Sequence, residues 1–171
     1  MVRVVRAVRS GRSMYPIVAK EHQIMSQTPA ETVQGFLAAL RRGDIDGALA
    51  PVSRSVVANL HPLRVRGGGR EDLRRLLAST VTAFPDLLLT EKHLLELGRV
   101  VVVELKMEGT QAADYLGIVN QEKHIDLDQA WRLTVDAGSI TGFDLYWCQN
   151  QLYRRLAVKR LDEVAIVGGA A

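Results

Sequence analysis

The chain reads as an α+β domain in which helices cover one side of a curved antiparallel sheet. Three observations point there. The first half places apolar residues at helical spacing behind a capping sequence, Thr28-Pro29-Ala30-Glu31. The second half alternates dry and wet residues, most plainly from Val100 to Glu108. The chain then closes on a hairpin, Ile125 to Gln149, whose strands flank the turn-forming segment Asp136-Ala137-Gly138-Ser139. Helical runs followed by strand runs argue for helices packed on an antiparallel sheet.

The first helix starts at a capping box: the Thr28 hydroxyl can accept the amide of Glu31, whose carboxylate can reach back, and Pro29 suits the first helical position. Val33, Phe36, Leu37 and Leu40 form its apolar stripe, and Gly43 ends it. Asp44 caps a short second helix through Ala50. Ser55 to His61 reads as a strand with Val57, Asn59 and His61 on one face, and Val65 to Gly69, with three successive glycines, as a loop. That loop lacks the Lys-Ser/Thr continuation of a phosphate-binding loop. Glu71 to Phe84 is the third helix, with Leu73, Leu76, Leu77, Val81 and Phe84 buried and Pro85 as its stop. Leu87 to Leu97 and Val100 to Glu108 are strands, the latter with Glu104, Lys106 and Glu108 on one face and Val103, Leu105 and Met107 on the other. Trp131, Phe143, Tyr146 and Trp147 make the closing hairpin too apolar to stand in water unaided.

Composition narrows the function. The 171 residues suffice for one domain with a real core. The pI is about 9.2, yet Arg3, Arg6, Arg9, Arg12 and Lys20 against Glu21 give residues 1–24 a net charge of +4 and leave the rest at −1. A near-neutral domain offers no broad surface for phosphates, so no nucleic-acid partner is expected. No apolar run reaches the length of a membrane span, and no membrane partner is expected. Residues 1–24 lack the apolar core of a secretory signal, and Lys20-Glu21 can be encoded as a ribosome-binding sequence upstream of Met25. They are read as a basic extension, disordered or not native, before a domain at 25–160 and a tail at 161–171. A cytoplasmic location is expected. Cys148, the single cysteine, allows no internal disulfide and no cysteine zinc site, and reads as a half-buried strand residue.

Several landmarks in this order are familiar: Gly43-Asp44-Ile45-Asp46, Ala83-Phe84-Pro85-Asp86-Leu87, Gly109-Thr110, Leu116-Gly117-Ile118 and the Asp136–Ile140 turn. From about Thr28 to Leu156 the chain resembles the SnoaL-like polyketide cyclases of the nuclear transport factor 2-like superfamily. The resemblance implies a cone-shaped fold with three N-terminal helices on a curved sheet around an apolar pocket. It also implies a small polyketide-like substrate, no metal or organic cofactor, and a homodimer.

The catalytic residues of such relatives do not carry over. Their closing strand usually reads Ile-Val-Glu-His-Trp-Asp-Tyr-Trp-Asp-Gln, with the middle aspartate as acid/base. Laid on Ile140 to Gln149, the histidine becomes Phe143, that aspartate becomes Leu145 and the later one Cys148; the histidine after Gly-Thr becomes Gln111. Asp144 is one position off and points outward unless a bulge before it restores it to the pocket. The catalytic candidates are then Asp144 and His61. Phe36, Asn59, Gln129, Trp131, Leu133, Phe143, Leu145 and Trp147 are the candidate substrate-binding residues. Asp126, Asp128 and Arg132 read as a charged outer face. An apolar wall suits ring closure by holding a chain in a reactive conformer, such as an intramolecular cycloaddition. The alternatives are acid/base aldol cyclisation or epoxide opening through Asp144, and a non-catalytic binding or dimerisation module.

Overall fold

In the computed structural model, which describes residues 27–158, the Thr28 box forms as its residues require. The Thr28 hydroxyl accepts the Glu31 amide at 3.1 Å, and Glu31 accepts the Thr28 amide at 2.8 Å. Helix α1 (Pro29–Arg41) buries Val33, Phe36, Leu37 and Leu40. Asp44 caps α2 (Ile45–Leu49). Strand β1 (Val52–Leu60), a 3-10 turn (His61–Leu63) and strand β2 (Val65–Gly68) lead to α3 (Arg70–Ala83). Strands β3 (Leu88–Leu97), β4 (Val100–Thr110), β5 (His124–Asp136) and β6 (Ser139–Trp147) follow, and α4 (Gln149–Arg155) ends the described chain. The basic extension and the C-terminal tail expected at 1–24 and 161–171 lie outside the described residues.

The six strands form one sheet in the order β2-β1-β6-β5-β4-β3. Its pairs are antiparallel except β1 with β6, which run parallel. The expected all-antiparallel sheet is corrected at this one seam, because the chain crosses from the β1 edge through α3 and three strands before β6 docks beside β1. β5 alternates buried and solvent-facing residues along its whole length. Ala137 and Gly138, with φ of 46° and 76°, make the tight turn between β5 and β6.

Four further expectations change. The glycine loop is the short edge strand β2, paired with β1. The strand ending at His61 stops at Leu60, because Pro62 has no N–H for the ladder and Arg64 turns the chain at φ 58°. Cys148 is exposed and sits just before α4, not in a strand. That helix, α4, was not anticipated; it docks through Leu152 and Leu156, both fully buried.

One junction locks the landmarks together. The Phe84 backbone ends α3, and the Asp86 carboxylate accepts the Thr110 amide at 2.7 Å. That bond holds the Asp86 carboxyl below its ordinary value. A Cβ on Gly109 would lie 3.0 Å from Phe84 Cβ and 3.2 Å from the Asp86 carboxylate. Gly109→Ala therefore should destabilise the fold by about 1–3 kcal/mol, as overpacking does. Urea denaturation checks this; an unchanged midpoint would mean that α3 and β4 do not press together here.

Candidate functional site

The concave side of the sheet faces α1 and α3, and the core does not fill all the space between them. Leu40 of α1, Leu76, Leu77 and Thr80 of α3, and Leu89, Met107, Gln129, Trp131, Phe143, Leu145 and Trp147 of the sheet surround a cavity, closed by Leu87 and Tyr115. The free space among these side chains, mouth included, is about 360 Å³, but a water centre has only about 20 Å³ to move in. That is room for roughly one water. The wall is mostly carbon, and among the described residues no carboxylate, histidine or cation lines it.

Its polar groups have fixed roles. Trp131 Nε1–H can only donate, and it donates to Gln129 Oε1 at 2.8 Å. The Gln129 amide nitrogen is thereby turned toward Met107 Sδ, at 3.1 Å, a weak acceptor. Thr80 Oγ1 donates to the Leu76 carbonyl at 2.9 Å and lies 3.1 Å from the Tyr115 hydroxyl. Burial pushes the Tyr115 phenol up to about 12. Tyr115 reaches the cavity from a tight turn with Leu116 and Gly117 at φ 50° and 79°. Phe84 packs edge-on against its ring at 5.0 Å. Gln111 holds that loop, donating to the Ile118 carbonyl and accepting the Gln121 amide.

Of the candidates from sequence, Gln129, Trp131, Phe143, Leu145 and Trp147 line the cavity. Phe36 and Leu133 are fully buried but are core behind that wall. Phe36 packs on Trp131 and Phe143 at ring distances of 6.1 and 5.8 Å, and those two lie 5.4 Å apart.

Asp144 faces outward, as its one-residue offset implies, and the pocket-facing reading of Asn59 and His61 is corrected: all three lie on the other side of the sheet. Val56, Ala58 and Leu60 take the inward positions of β1, which turns Val57 and Asn59 out. Asn59 Nδ2 donates to Asp144 at 2.7 Å, Arg132 donates to it at 2.8 Å, and the Asn59 carbonyl oxygen accepts the Gly67 amide. His61 is exposed and stacks on Tyr146 at 4.4 Å. A bulge before Asp144 does exist: Val135 pairs with Ile140 and Thr134 with Gly142, leaving Thr141 as the extra residue. It works against the acid/base reading, letting Ile140 and Phe143 both face inward and leaving Asp144 outside. Asp126 and Asp128 form ion pairs with Lys106 and Lys92 on the same outer face.

Sequence reasoning missed Tyr115 and Thr80. Thr80 lies one turn beyond Leu76 and Leu77 on the same buried stripe, and Tyr115 stands directly before the Leu116-Gly117 landmark; both signals were available. Among the described residues, no group of three or more His, Cys, Asp and Glu is arranged to hold a metal. No described helix is long and apolar enough to cross a membrane.

A curved, unclosed sheet wrapped on helices around one apolar cavity defines an α+β protein of the NTF2-like class. The chain belongs to the SnoaL-like polyketide cyclase family, whose model matches residues 30–148. Among solved structures it is similar to a SnoaL-like protein from Jannaschia sp. CCS1, provisionally described as a polyketide cyclase. That match has TM-score 0.70 and 17% identity, covering 88% of this chain and 100% of that one. It is similar to AclR from Streptomyces galilaeus, provisionally described as a hydroxylase (TM-score 0.68, 19% identity, covering 75% and 95%). It is also similar to IdmH from Streptomyces antibioticus, provisionally described as a polyketide cyclase (TM-score 0.67, 19% identity, covering 77% and 100%). No curated protein matches the chain in sequence.

The buried phenol links stability to alkaline pH. An unfolded tyrosine loses its proton near pH 10.0, the folded Tyr115 near 12. The unfolded state thus binds fewer protons between those values. The contribution is complete below pH 10 and lost as pH rises through 12. The stability of the wild type relative to Tyr115→Phe should be constant up to about pH 9 and fall by about 2 kcal/mol by about pH 11.5. Denaturant titrations at both ends check it, and parallel alkaline losses in the two proteins would refute it.

Proposed function

We propose that the protein is a polyketide cyclase that closes a carbon ring on a largely apolar linear chain by holding it folded. The supporting observation is the cavity wall, where Trp131, Phe143, Leu145 and Trp147 stand, among the described residues, without a carboxylate or histidine beside them. Such a wall has no group to shuttle a proton at neutral pH, so aldol chemistry is poorly served. A ring closure within one molecule, with two π systems exchanging electrons and no proton leaving, asks only for shape. Orientation of that kind can contribute several kcal/mol to a barrier. Excluding water from an apolar chain adds about 25 cal/mol per Å² buried. No protein group in this reading requires a metal or organic cofactor. Homodimerisation draws support from the exposed Leu88, Leu95 and Leu97 of the edge strand β3.

The narrowness of the cavity favours a second reading, a module that binds a small apolar ligand without transforming it. A linear polyene carbonyl compound that closes slowly by itself separates the two. Under the cyclase reading the protein accelerates closure and fixes the stereochemistry. Binding with an unchanged rate and product mixture leaves only the module.

Residue substitutions sharpen the test. Trp131→Phe keeps an aromatic ring against Phe36 and Phe143 but reshapes the wall, and should lower the closure rate at least tenfold. Asp144→Asn, on the outer face, should leave that rate within about twofold while costing on the order of 1 kcal/mol of stability through its weakened bond to Arg132. A rate that collapses in Asp144→Asn would return catalysis to a carboxylate.

A further inference from the structure

The hydroxyl pair at the cavity allows its protons to be counted. Thr80 has one hydroxyl proton, and it goes to the Leu76 carbonyl. The 3.1 Å contact between Thr80 and Tyr115 therefore has to be made with the tyrosine proton, Tyr115 donating and Thr80 Oγ1 accepting. Both residues line the cavity, and Thr80 is the only hydrogen-bond partner of the Tyr115 hydroxyl among the described residues. The phenolic oxygen ends the chain with its acceptor capacity unused. The Gln129 amide is fixed in the complementary sense: its oxygen is taken by Trp131, and its second N–H has no partner among the described residues.

We propose that the Thr80–Tyr115 chain makes the Tyr115 oxygen the acceptor that selects the ligand, so that the cavity takes an apolar molecule bearing a hydroxyl or enol O–H. The inference rests on the reading of this cavity as the ligand site. Tyr115 is a positioning and specificity residue here: it accepts the ligand O–H and makes or breaks no bond. The free Gln129 N–H gives the same ligand a place for a carbonyl oxygen, so a β-hydroxy ketone or an enolised 1,3-dicarbonyl satisfies both groups. Burial keeps the phenol neutral throughout the physiological range, so Tyr115 retains the proton it gives to Thr80.

Thr80→Val reverses the logic. Valine keeps the shape of threonine but removes the acceptor, so the Tyr115 proton is released into the cavity and the residue becomes a donor. The test uses the full chain and three probes: 2-naphthol, which donates; 2-methoxynaphthalene, which cannot; and 2-acetylnaphthalene, which only accepts. Affinities are read by calorimetry and by the shifts of the Trp131 and Trp147 indole N–H resonances.

Wild type should prefer 2-naphthol to 2-methoxynaphthalene by about fivefold, the worth of one neutral hydrogen bond. Tyr115→Phe should abolish that preference, and Thr80→Val should shift the naphthol-to-acetylnaphthalene ratio about fivefold toward the ketone. A merely structural threonine would lower all three affinities together. No binding of 2-naphthol, equal affinities in wild type, or an unchanged ratio in Thr80→Val would each overturn the inference. Naphthol preference without accelerated ring closure would sink the cyclase reading and leave the acceptor in place. Accelerated closure without the preference would do the reverse.

Discussion

The junction between the end of α3 and the end of β4 is the contact on which the site depends. Pro85 forces the chain out of the helix, and the Asp86 carboxylate then holds the Thr110 amide while Gly109 lets Phe84 press against β4. Ala83 completes the clamp by accepting the Ala112 amide at 2.8 Å. These bonds set where the loop after β4 begins, and that loop carries Tyr115. Thr80, less than two turns before the clamp, is carried on the helix side. The two hydroxyls meet because the helix and the strand that bring them are fastened a few residues away.

On β6 a single extra residue decides what the site contains. A regular strand with Ile140 inward would also turn Gly142 and Asp144 inward, placing a carboxylate in the cavity. The bulge at Thr141 breaks that parity. Phe143 and Leu145 go inside, and Asp144 is left to join Arg132 and Asn59 outside, where it ties β6 to β5, β1 and, through Asn59, β2. The same carboxylate is thus a cross-strand fastening. The apolar character of the cavity follows from backbone register as much as from composition.

This explains which parts were legible in the sequence. Helices α1 and α3 announce themselves through caps, a 3.6-residue stripe and a proline stop, all local signals. β4, β5 and the final turn do so through strict alternation and a glycine with positive φ. The inward set on β5 and β6 was readable because Trp131, Phe143, Leu145 and Trp147 leave few other options. His61 and Asn59 were misread because the parity of β1 depends on which face α3 covers, a tertiary fact that Val56, Ala58 and Leu60 betray only once the sheet is assembled. β2 was hidden by its glycines, yet Gly68 is needed there: a Cβ would come within 2.7 Å of Val65. The parallel seam between β1 and β6 joins residues about 85 positions apart, as Asn59 and Asp144 do, and no local pattern encodes such a pairing.

The tightness of the cavity and its proposed use are reconciled by where its rigidity lies. Phe36, Trp131 and Phe143 form a closed aromatic cluster that is fully or nearly fully buried, so one end of the wall is core and resists deformation. At the other end, Trp147 is only partly buried, and its indole N–H is held by Gln149 at the start of the short helix α4. Met107, an unbranched side chain that repacks at small cost, stands between them beside Gln129. A ligand that widened the space would displace the adaptable side and lean on the rigid one. Shape selection needs that asymmetry: a wall soft throughout would accept any conformer, and one hard throughout would admit no ligand larger than a water.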